Sequence, residues 1–490
     1  MTYQPRHVPY AHQVEAATKL SDREAFALFL DMGTGKTKII LDEFQEECAK
    51  ADGLRDLLII APAGSYSNWE GEIDEHLDPT LRDQVRVAKW KSGQARSIKA
   101  VKWLVESVQG PRILIVNVEA LSTVIAAKEA VIKFLQPGRA MAAIDESTSI
   151  KSRTARRTTF ILRYVATMAK RKRILSGLPS PNSPLDLFSQ FQFLDPMILG
   201  GSYSLFRSQY AELQRRPFGP GGRMIDIVVG YKNVDHLFNR IKPFSFRKTK
   251  DECLDLPPKV YMPPRIVEMT PEQRRVYREI KENATSQLEE GVHVSASLVI
   301  TQMLRLHQVL CGHVVDEDGV VRDVSTNRLD ALLEVLAEHS GKAIIWANYN
   351  HSIKAVARTI ATAKDSDGRR MYGDEAVAIF YGGNSGTRLG EEQRWKTDPR
   401  CRFLVASQGA GSLGNTWVEA SLVVYFSNDF SLEHRMQSED RAHRVGQRKS
   451  VTYVDLVTAG TVDEKIIGAL RSKINLSTQI TGDNYREWLI

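Results

Sequence analysis

The chain has 490 residues, of which 42% are hydrophobic and 26% are charged, so it can bury two or three domain cores and is not disordered as a whole. Its net charge of +7 suits a polyanionic partner but is too small over this length to indicate one. The four cysteines are scattered without C-x-x-C spacing, which excludes a cysteine zinc motif and a disulfide framework.

The first ten residues have no apolar core of the kind found in signal peptides. No segment approaches the roughly 20 apolar residues of a membrane span. We therefore expect a cytoplasmic protein with no membrane partner. The basic run 170–173 is similar to a nuclear-import signal, but it leads directly into an apolar segment, so we interpret it as a surface loop.

Short unbroken apolar runs predict strands that are buried on both faces. A first group of such runs covers residues 57–61, 113–116, 142–144 and 173–175. A second group covers residues 343–347, 377–380, 403–406, 422–426 and 451–457. Helical patterns lie between the runs, so the sequence predicts an α/β fold with parallel sheets. The two separate groups predict two lobes.

The region between the two groups differs in composition. Residues 215–222 are rich in glycine and proline, and residues 246–250 are basic. We interpret this basic stretch as part of a DNA-binding groove. Thr270-Pro271-Glu272-Gln273 combines an N-cap threonine, a proline at N1 and a glutamine at N3, which predicts a helical region from there to about Gly312.

The segment from Leu28 to Thr37 reads Leu-Phe-Leu-Asp-Met-Gly-Thr-Gly-Lys-Thr. Its glycines allow a tight turn that presents amides to phosphate oxygens, its lysine suits β- and γ-phosphates, and its last threonine suits Mg²⁺. The alternative is a chance glycine-rich turn, since the strict P-loop pattern has glycine where this chain has Leu30. The predicted nucleotide-binding residues of this segment are Met32, Gly33, Thr34, Gly35, Lys36 and Thr37.

An acidic pair, Asp145 and Glu146, follows the apolar run 142–144. A P-loop ATPase needs one carboxylate for Mg²⁺ and a second group that orients the attacking water. Asp145 suits the first role and Glu146 the second. A lone Asp-Glu pair is more often a solvated turn, so the pair gains its meaning from its place after the glycine-rich segment.

Arg441 and Arg444 lie three residues apart within the segment 437–447. This spacing predicts that both lie on one face of a helix. Two guanidinium groups on one face suit a γ-phosphate as its charge shifts in the transition state. On these residues alone, an ordinary basic surface helix stays open as the alternative.

In this order, the three segments resemble the superfamily 2 helicases and, within them, the Swi/Snf-type ATPases. The resemblance covers nearly the whole chain. In its first part the matching segments are Tyr10-Ala11-His12-Gln13 with Gln13 as the adenine reader, Ile60-Ala61-Pro62-Ala63 continuing to Trp69 (motif Ia), Asn117-Val118-Glu119 (motif Ib), Leu175-Ser176-Gly177-Leu178-Pro179 with Asn182 (motif III), and Phe193-Leu194-Asp195-Pro196.

The later part matches at 246–248 and 256–259 (the junction between lobes), at 303–306 with His313, at 344–349 (motif IV), at 409–414 (motif V) and at 437–447 (motif VI). Three positions depart from the family pattern. Leu178 replaces a threonine in motif III, Thr416 stands where motif V usually has asparagine, and Phe430-Ser431-Leu432 replaces Trp-Asn-Pro before motif VI. The substitution at Thr416 puts the coupling role of that position in doubt.

The resemblance implies two RecA-like parallel-sheet lobes with helical insertions and an ATP site in the cleft between the lobes. The implied boundaries are 1–196 for the first, ATP-binding lobe, 197–260 for a helical insertion and interlobe linker, 261–326 for a helical segment leading into the second lobe, and 327–490 for the second lobe.

ATP and Mg²⁺ are the implied cofactors. Mg²⁺ would be held by Thr37 and Asp145, and Glu146 would orient or deprotonate water. Arg441 and Arg444 would reach the γ-phosphate when the lobes close. The implied nucleotide-binding set is completed by Gln13, Gly414 and Gln437.

The implied activity is ATP-driven translocation on duplex or branched DNA. The DNA contacts would be phosphate contacts from motifs Ia, Ib, IV and V and from the inserted helices. Since the motifs leave no room for an accessory chromatin-reading segment or a zinc module, we expect a remodeller of replication forks or recombination intermediates. Open alternatives are a nucleosome or protein–DNA remodeller, a motor subunit of a nuclease or defence complex, and a DNA-binding scaffold without ATPase activity.

The Asp-Glu-Ser form of the acidic segment and the Leu-Pro-Ser-Pro-Asn segment after Gly177 resemble the compact viral and bacterial members of the family. We therefore expect a bacterial or viral-host cytoplasm and not a nucleus.

Overall fold

The computed structural model describes residues 6–62, 65–66, 68–107, 109–218, 223–289, 296–316, 318–411 and 415–481, and the side chains of these residues outside 218, 223, 284–300 and 474–481. The chain forms two compact units. Unit 1 contains Met1–Gln214, Asp226–Asp255 and Lys473–Tyr485, and unit 2 contains Arg215–Ile225, Leu256–Ser472 and Arg486–Ile490.

Unit 1 is built on a seven-stranded sheet, and strands β7 and β8 pair with each other in a separate two-stranded sheet. The strands are β1 (Ala25–Leu30), β2 (Asp56–Ala61), β3 (Arg86–Lys89), β4 (Arg112–Asn117), β5 (Ala140–Ile144), β6 (Arg171–Leu175), the hairpin β7 (Ala211–Phe218) and β8 (Arg223–Tyr231), and β9 (Ser245–Lys248). The sheet order is β3-β4-β2-β5-β6-β1-β9, and every pairing is parallel.

Both faces of this sheet are buried. In β1, Ala27 and Phe29 belong to the hydrophobic core on one face, and Leu28 and Leu30 belong to the core on the other. Alternate residues of one strand therefore enter two different cores, which is why the apolar run has no polar interruption.

Helices cover both faces. Up to residue 255 they are α1 (Ala11–Leu20), α2 (Lys36–Ala49), α3 (Trp69–His76), α4 (Pro79–Gln84), α5 (Ala95–Glu106), α6 (Ala120–Thr123), α7 (Ile125–Leu135), α8 (Arg156–Phe160), α9 (Ala166–Met168), α10 (Leu187–Leu194), α11 (Pro196–Leu199), α12 (Tyr203–Tyr210), α13 (Val234–Ile241) and α14 (Lys250–Cys253). A π-helical turn, Ile161–Val165, connects α8 with α9.

Unit 2 has a second parallel sheet. The strands after residue 256 are β10 (Lys259–Tyr261), β11 (Arg265–Ile266), β12 (His313–Val315), β13 (Val321–Asp323), β14 (Lys342–Trp346), β15 (Val377–Phe380), β16 (Phe403–Ala406), β17 (Ala420–Tyr425) and β18 (Val451–Val457). The sheet order is β10-β18-β17-β14-β16-β15, with β11 also paired to β18, and β12 and β13 form a separate antiparallel pair.

The helices after residue 256 are α15 (Pro271–Glu289), α16 (Ala296–Leu310), α17 (Arg328–Ala337), α18 (Asn350–Thr362), α19 (Arg388–Thr397), α20 (Gln408–Gly411), α21 (Leu432–Glu439) and α22 (Val462–Thr481). The predicted start of α15 is confirmed. The Gln273 amide donates to Thr270 Oγ1 at 3.1 Å, and the Thr270 amide donates to Gln273 Oε1 at 3.2 Å. Among the described helices, none has the length and apolar composition that crossing a membrane requires.

All nine predicted strand segments are strands, and the predicted fold class of two parallel-sheet α/β units is confirmed. The segment 197–260, predicted as a helical insertion and linker, contains α12 and α13 and also the hairpin β7–β8. It also contains β9, which pairs with β1 and so completes the sheet of unit 1, followed by α14 and the start of β10.

A buried ion pair ties the central strands of unit 1 together. Arg112 donates to both carboxylate oxygens of Asp56, at 2.9 and 2.7 Å, and both side chains are fully buried. Arg139 bonds the same carboxylate at 3.0 Å. The guanidinium of Arg112 also donates to the carbonyls of Leu104 and Phe134, so its charge is well compensated only while Asp56 is present.

Replacing Asp56 by alanine is expected to lower the free energy of unfolding of unit 1 by about 3–5 kcal/mol, because it leaves a buried guanidinium uncompensated. Urea unfolding would measure the change. The matched control is Asp74→Ala, which breaks an exposed pair with Arg82 and should cost about 0–1 kcal/mol. Equal losses in the two variants would contradict a structural role for the buried pair.

Candidate functional site

The predicted catalytic residues of unit 1 lie at the carboxyl edge of its sheet. The glycine-rich loop follows β1, the Asp-Glu pair follows β5, and motif III follows β6. In the sheet, β6 lies between β5 and β1. Because the strands are parallel, the three segments emerge side by side at one edge, where doubly wound sheets bind ligands.

The glycine-rich loop adopts a conformation that requires glycine at two positions. Gly33 and Gly35 have φ of 77° and 83°, in the left-handed region. A Cβ on Gly35 would lie 2.1 Å from Gln13 Nε2. Helix α2 begins at the next residue, Lys36, so its free amides face the loop. This is the geometry of an anion site at a helix N-terminus.

Lys36 lies within the loop. Its Nζ donates to the carbonyls of Leu30 and Asp31, at 2.7 and 3.1 Å. These bonds hold the ammonium group against the loop backbone. Phosphate oxygens would be stronger, charged acceptors for the same protons.

The segment before the loop is attached to it by two side chains. His12 Nε2 is 2.7 Å from the carbonyl of Thr34, and Gln13 Nε2 donates to the same carbonyl at 3.2 Å. Gln13 Oε1 accepts from the Tyr10 amide, and the Tyr10 ring stacks on His12 at 5.7 Å. Gln13 was predicted as a nucleotide contact. The contribution of His12 was missed, although it stands in the same motif.

Asp145 lies at the end of β5 and is held by two donors. Trp69 Nε1 donates to Asp145 Oδ2 at 3.0 Å, and the Glu146 amide donates to Oδ1 at 3.0 Å. Burial raises the pKa of the Asp145 carboxyl above its ordinary value, while the Trp69 bond and the positive charge of Lys36 act in the opposite direction. The two predicted residues Lys36 and Asp145 therefore lie close enough to interact.

Glu146 has φ of 46°, which places it among the few non-glycine residues of the described chain in the left-handed region. Such a conformation is uncommon for a glutamate and is typical of functional turns. It follows Asp145 immediately, at the start of the short 3₁₀ turn Ser147–Ile150. The side chain is largely buried. The two carboxylates predicted as catalytic thus both lie at the carboxyl edge of the unit 1 sheet.

A buried glutamine connects the acidic segment to motif III. Ser147 Oγ donates to Gln190 Oε1 at 2.6 Å, and Gln190 Nε2 donates to the carbonyl of Pro179 at 2.6 Å. Sequence reasoning missed Gln190, because it lies in α10, 43 residues after Ser147. Its fully buried amide makes the two segments depend on each other for their positions.

The basic stretch 246–250, which was predicted to belong to a groove, makes contacts with the glycine-rich loop. Arg247 donates to Asp31 Oδ1 at 3.1 Å and to the carbonyls of Phe29 and Gly177, at 2.8 and 3.4 Å. The Lys250 amide donates to Asp31 Oδ2 at 2.9 Å. Arg247 and the Lys250 amide therefore support the glycine-rich loop from within unit 1, and the groove interpretation of this stretch stays a prediction.

In unit 2, the prediction that Arg441 and Arg444 share a helix face is wrong. Helix α21 ends at Glu439, and beyond it the Arg441 carbonyl accepts from the Trp417 amide at 2.8 Å. The two arginines lie in the turns that follow. Both still converge, since each donates to the carbonyl of Asn415, Arg441 at 2.7 Å and Arg444 at 3.2 Å.

Two further predicted residues belong to this region. Gln437 is buried in α21, and its Oε1 has no hydrogen-bond partner among the described residues. Its carbonyl accepts from Arg441 Nε at 2.9 Å. Gly414 lies outside the described residues. Unit 2 therefore brings Gln437, Arg441 and Arg444 together.

The residues at the carboxyl edge of the unit 1 sheet fit ATP with Mg²⁺. The left-handed glycines leave room for phosphate against the backbone, α2 presents amides, and Lys36 supplies a positive charge. Asp145 offers a carboxylate oxygen of the kind that Mg²⁺ prefers, and Thr37 in the first turn of α2 offers a hydroxyl.

Replacing Asp145 by asparagine is expected to stabilise unit 1 by about 0.5–2 kcal/mol at neutral pH in buffer without nucleotide and Mg²⁺, because it removes a buried charge. The raised pKa means that the folded state binds this proton more tightly than the unfolded state does. The wild-type protein therefore regains stability as the pH falls, and the two proteins should converge. Urea unfolding at several pH values tests this. An asparagine variant of lower stability at neutral pH would contradict it.

Comparison with known proteins identifies the family. The profile described as SNF2-related domain matches residues 12–315, and the profile described as helicase conserved C-terminal domain matches residues 327–446. Together they cover the glycine-rich loop, the Asp-Glu pair and both arginines.

Several characterised and uncharacterised proteins are similar over almost the whole chain. TATA-binding protein-associated factor BTAF1 of Arabidopsis thaliana is 23% identical, over 93% of this chain and 24% of its own length. DNA annealing helicase and endonuclease ZRANB3 of Mus musculus is 25% identical, over 92% and 38%. An uncharacterized ATP-dependent helicase of Mycoplasma genitalium is 23% identical, over 93% and 40%. The chain thus spans two fifths or less of the length of these relatives.

Among solved structures, the SWI2/SNF2 ATPase core of Sulfolobus solfataricus in complex with dsDNA is 21% identical, covers 98% of this chain and 95% of that chain, and has a TM-score of 0.42. The two profile matches follow each other along the chain from residue 12 to residue 446. They show that the chain belongs to the SNF2-related family, the Swi/Snf-type branch of the superfamily 2 helicases.

Proposed function

We propose that the protein is a DNA-dependent ATPase that moves along duplex DNA and remodels branched structures such as replication forks or recombination intermediates. The observation that carries this proposal is the group of residues at the carboxyl edge of the unit 1 sheet, in a chain of the SNF2-related family. Gln13 and Lys36 both bond carbonyls of the glycine-rich loop, and Asp145 lies close enough to Lys36 to feel its charge. A scaffold without ATPase activity would have no need for the buried charge on Asp145.

In this proposal the chain's own residues divide the chemistry. The amides of the loop and Lys36 bind the phosphates, and Gln13 contacts the base. Glu146 orients a water molecule and accepts its proton. Mg²⁺, held by Thr37 and Asp145, supplies charge neutralisation at the phosphate oxygens when bound. Arg441 and Arg444 stabilise the charge that develops on the γ-phosphate.

The relatives support two settings for this motor. The name of the mouse relative includes DNA annealing helicase, which favours work on branched DNA. The name of the Arabidopsis relative includes TATA-binding protein-associated factor, which favours the displacement of a protein from DNA. We test branched DNA first, with displacement of a protein from DNA as the alternative.

We expect duplex and branched DNA to stimulate ATP hydrolysis more than single-stranded DNA of equal nucleotide content. A motor that grips phosphates should ignore base sequence, and each phosphate it neutralises should contribute about −0.9 to the slope of log K against log salt on duplex DNA. The measurement compares ATPase rates on duplex, single-stranded, forked and four-way-junction DNA, followed by fork regression on the best activator.

The matched control is Lys36→Ala, which should retain DNA binding and lose hydrolysis on every substrate. A third strand annealed to duplex should be displaced, whereas a simple tailed duplex should be opened poorly. Preferential stimulation by single strands, with efficient opening of tailed duplexes, would identify a conventional unwinding helicase. ATP binding without hydrolysis on any DNA would identify a scaffold.

A further inference from the structure

The segment that precedes α1 is held against the C-terminal end of α3. Arg6 Nη1 donates to the carbonyl of Asp74 at 2.5 Å, and the rings of His7 and His76 meet edge to face with centroids 5.6 Å apart. One possible ligand atom from each of His7, Glu75 and His76 lies within 4.8 Å of the other two. Within the described part of the chain, no other group of three histidine, cysteine or acidic side chains meets this criterion.

His76 is oriented as a metal-binding histidine would be. Its Nε2 is 3.2 Å from Glu72 Oε2, one helical turn earlier in α3. Its Nδ1 is buried and has no hydrogen-bond partner among the described residues. A buried nitrogen without a partner is unfavourable. A carboxylate on one ring nitrogen, with the other nitrogen left for an ion, is the usual arrangement around protein-bound metals.

We propose that His7, Glu75 and His76 bind a divalent transition-metal ion, of which Zn²⁺ is the representative. Two imidazoles and one carboxylate form a ligand set that zinc accepts with a fourth position left to water. Imidazole suits zinc, nickel and copper, whereas Mg²⁺ prefers oxygen ligands. The site therefore differs in metal class from the Mg²⁺ position at Thr37 and Asp145.

The geometry allows the ion to enter with side-chain movement alone. Metal–ligand bonds of about 2.1 Å in a tetrahedral site place the ligand atoms about 3.4 Å apart. The possible ligand atoms of His7, Glu75 and His76 lie within 4.8 Å of one another, so they would move somewhat closer together around an ion. His7 and Glu75 are exposed, so both are free of packing that would prevent this closure. His76, held by Glu72, would stay in place.

Metal binding here would connect two parts of the nucleotide site. His7 lies just before Tyr10 and Gln13, which contact the glycine-rich loop. His76 ends the helix that begins with Trp69, and Trp69 holds Asp145. An ion between His7 and His76 would cross-link the chain ahead of Gln13 to this helix.

Zinc titration of the full-length protein in excess Mg²⁺, in competition with a chromogenic chelator, tests the proposal. The expected result is saturable binding of one Zn²⁺ per chain. Binding should be lost in His7→Ala and in His76→Ala, and weakened about 10–100-fold in Glu72→Gln, which removes only the outer carboxylate. The matched control is His236→Ala, an exposed histidine of unit 1 that pairs with Tyr210 and should leave zinc affinity unchanged.

Thermal unfolding with and without Zn²⁺ provides a second measurement that does not depend on ATPase activity. Zinc should raise the midpoint of the wild-type and His236→Ala proteins and leave His7→Ala unchanged. His7 is exposed, so its replacement should not disturb folding. Absence of stoichiometric zinc binding in the wild type, or unchanged affinity in His7→Ala, would overturn the proposal.

Discussion

Replacing Glu146 by glutamine is expected to lower the rate of ATP hydrolysis by about two to four orders of magnitude and to leave ATP binding nearly intact. Glutamine preserves the size of the side chain and its capacity to accept a hydrogen bond, but it does not accept a proton from water. The backbone cost of the left-handed conformation at φ 46° is similar for the two residues. The fold should therefore be retained, and the loss should fall on the chemical step.

The measurement pairs steady-state hydrolysis in the presence of duplex DNA with equilibrium binding of a fluorescent ATP analogue. Glu129→Gln is the matched control, since Glu129 is an exposed carboxylate on α7 and its replacement should change neither quantity. Hydrolysis by Glu146→Gln at close to the wild-type rate would show that another group activates water.

The strands of both sheets were predictable because their burial is a local property of the sequence. Each central strand enters two cores, as β1 does through Phe29 and Leu30, so it reads as an unbroken apolar run. The edge strand β9 does not have this signature. Strand β9, with the sequence Ser-Phe-Arg-Lys, was interpreted from its charges alone, and its pairing with β1 is visible only in the folded chain.

The same distinction applies to the site. Lys36, Asp145 and Glu146 lie within short segments whose residue types and spacing are typical of an ATP site. The sequence alone therefore predicted these three residues as catalytic. Gln190 and the bond from Trp69 to Asp145 join residues 43 and 76 positions apart. No local pattern encodes such contacts. Buried polar side chains of this kind are found from their hydrogen-bond partners, after the fold has placed them.

The end of α21 shows where a local pattern gave the wrong geometry. Three-residue spacing predicted a helix face for Arg441 and Arg444, but α21 ends at Glu439, and the Arg441 carbonyl accepts from the Trp417 amide. Both guanidinium groups meet at the carbonyl of Asn415 instead. The two arginines are brought together by a tertiary contact, which explains why their proximity survives although the predicted helix does not.

Replacing Arg444 by alanine is expected to reduce DNA-stimulated ATP hydrolysis by about 10³–10⁵-fold, the range found when an arginine that stabilises a transferring phosphate is removed. ATP affinity should fall far less, because this arginine is proposed to act on charge that develops only in the transition state. Arg444→Lys should also fail, since a single ammonium does not reproduce the planar, forked guanidinium.

Structure makes Arg444 the sharper test of the two arginines. Arg441 is buried and also bonds the Gln437 carbonyl, so its loss would disturb the turn itself. Arg444 is less buried, and its bond to the Asn415 carbonyl is longer than the bond that Arg441 makes to the same carbonyl. Arg448→Ala, at an exposed position of the same turn region, is the matched control and should retain stimulated hydrolysis. Activity of Arg444→Lys equal to the wild type would show that Arg444 contributes only positive charge, and a parallel loss of ATP affinity would place it in ground-state binding instead.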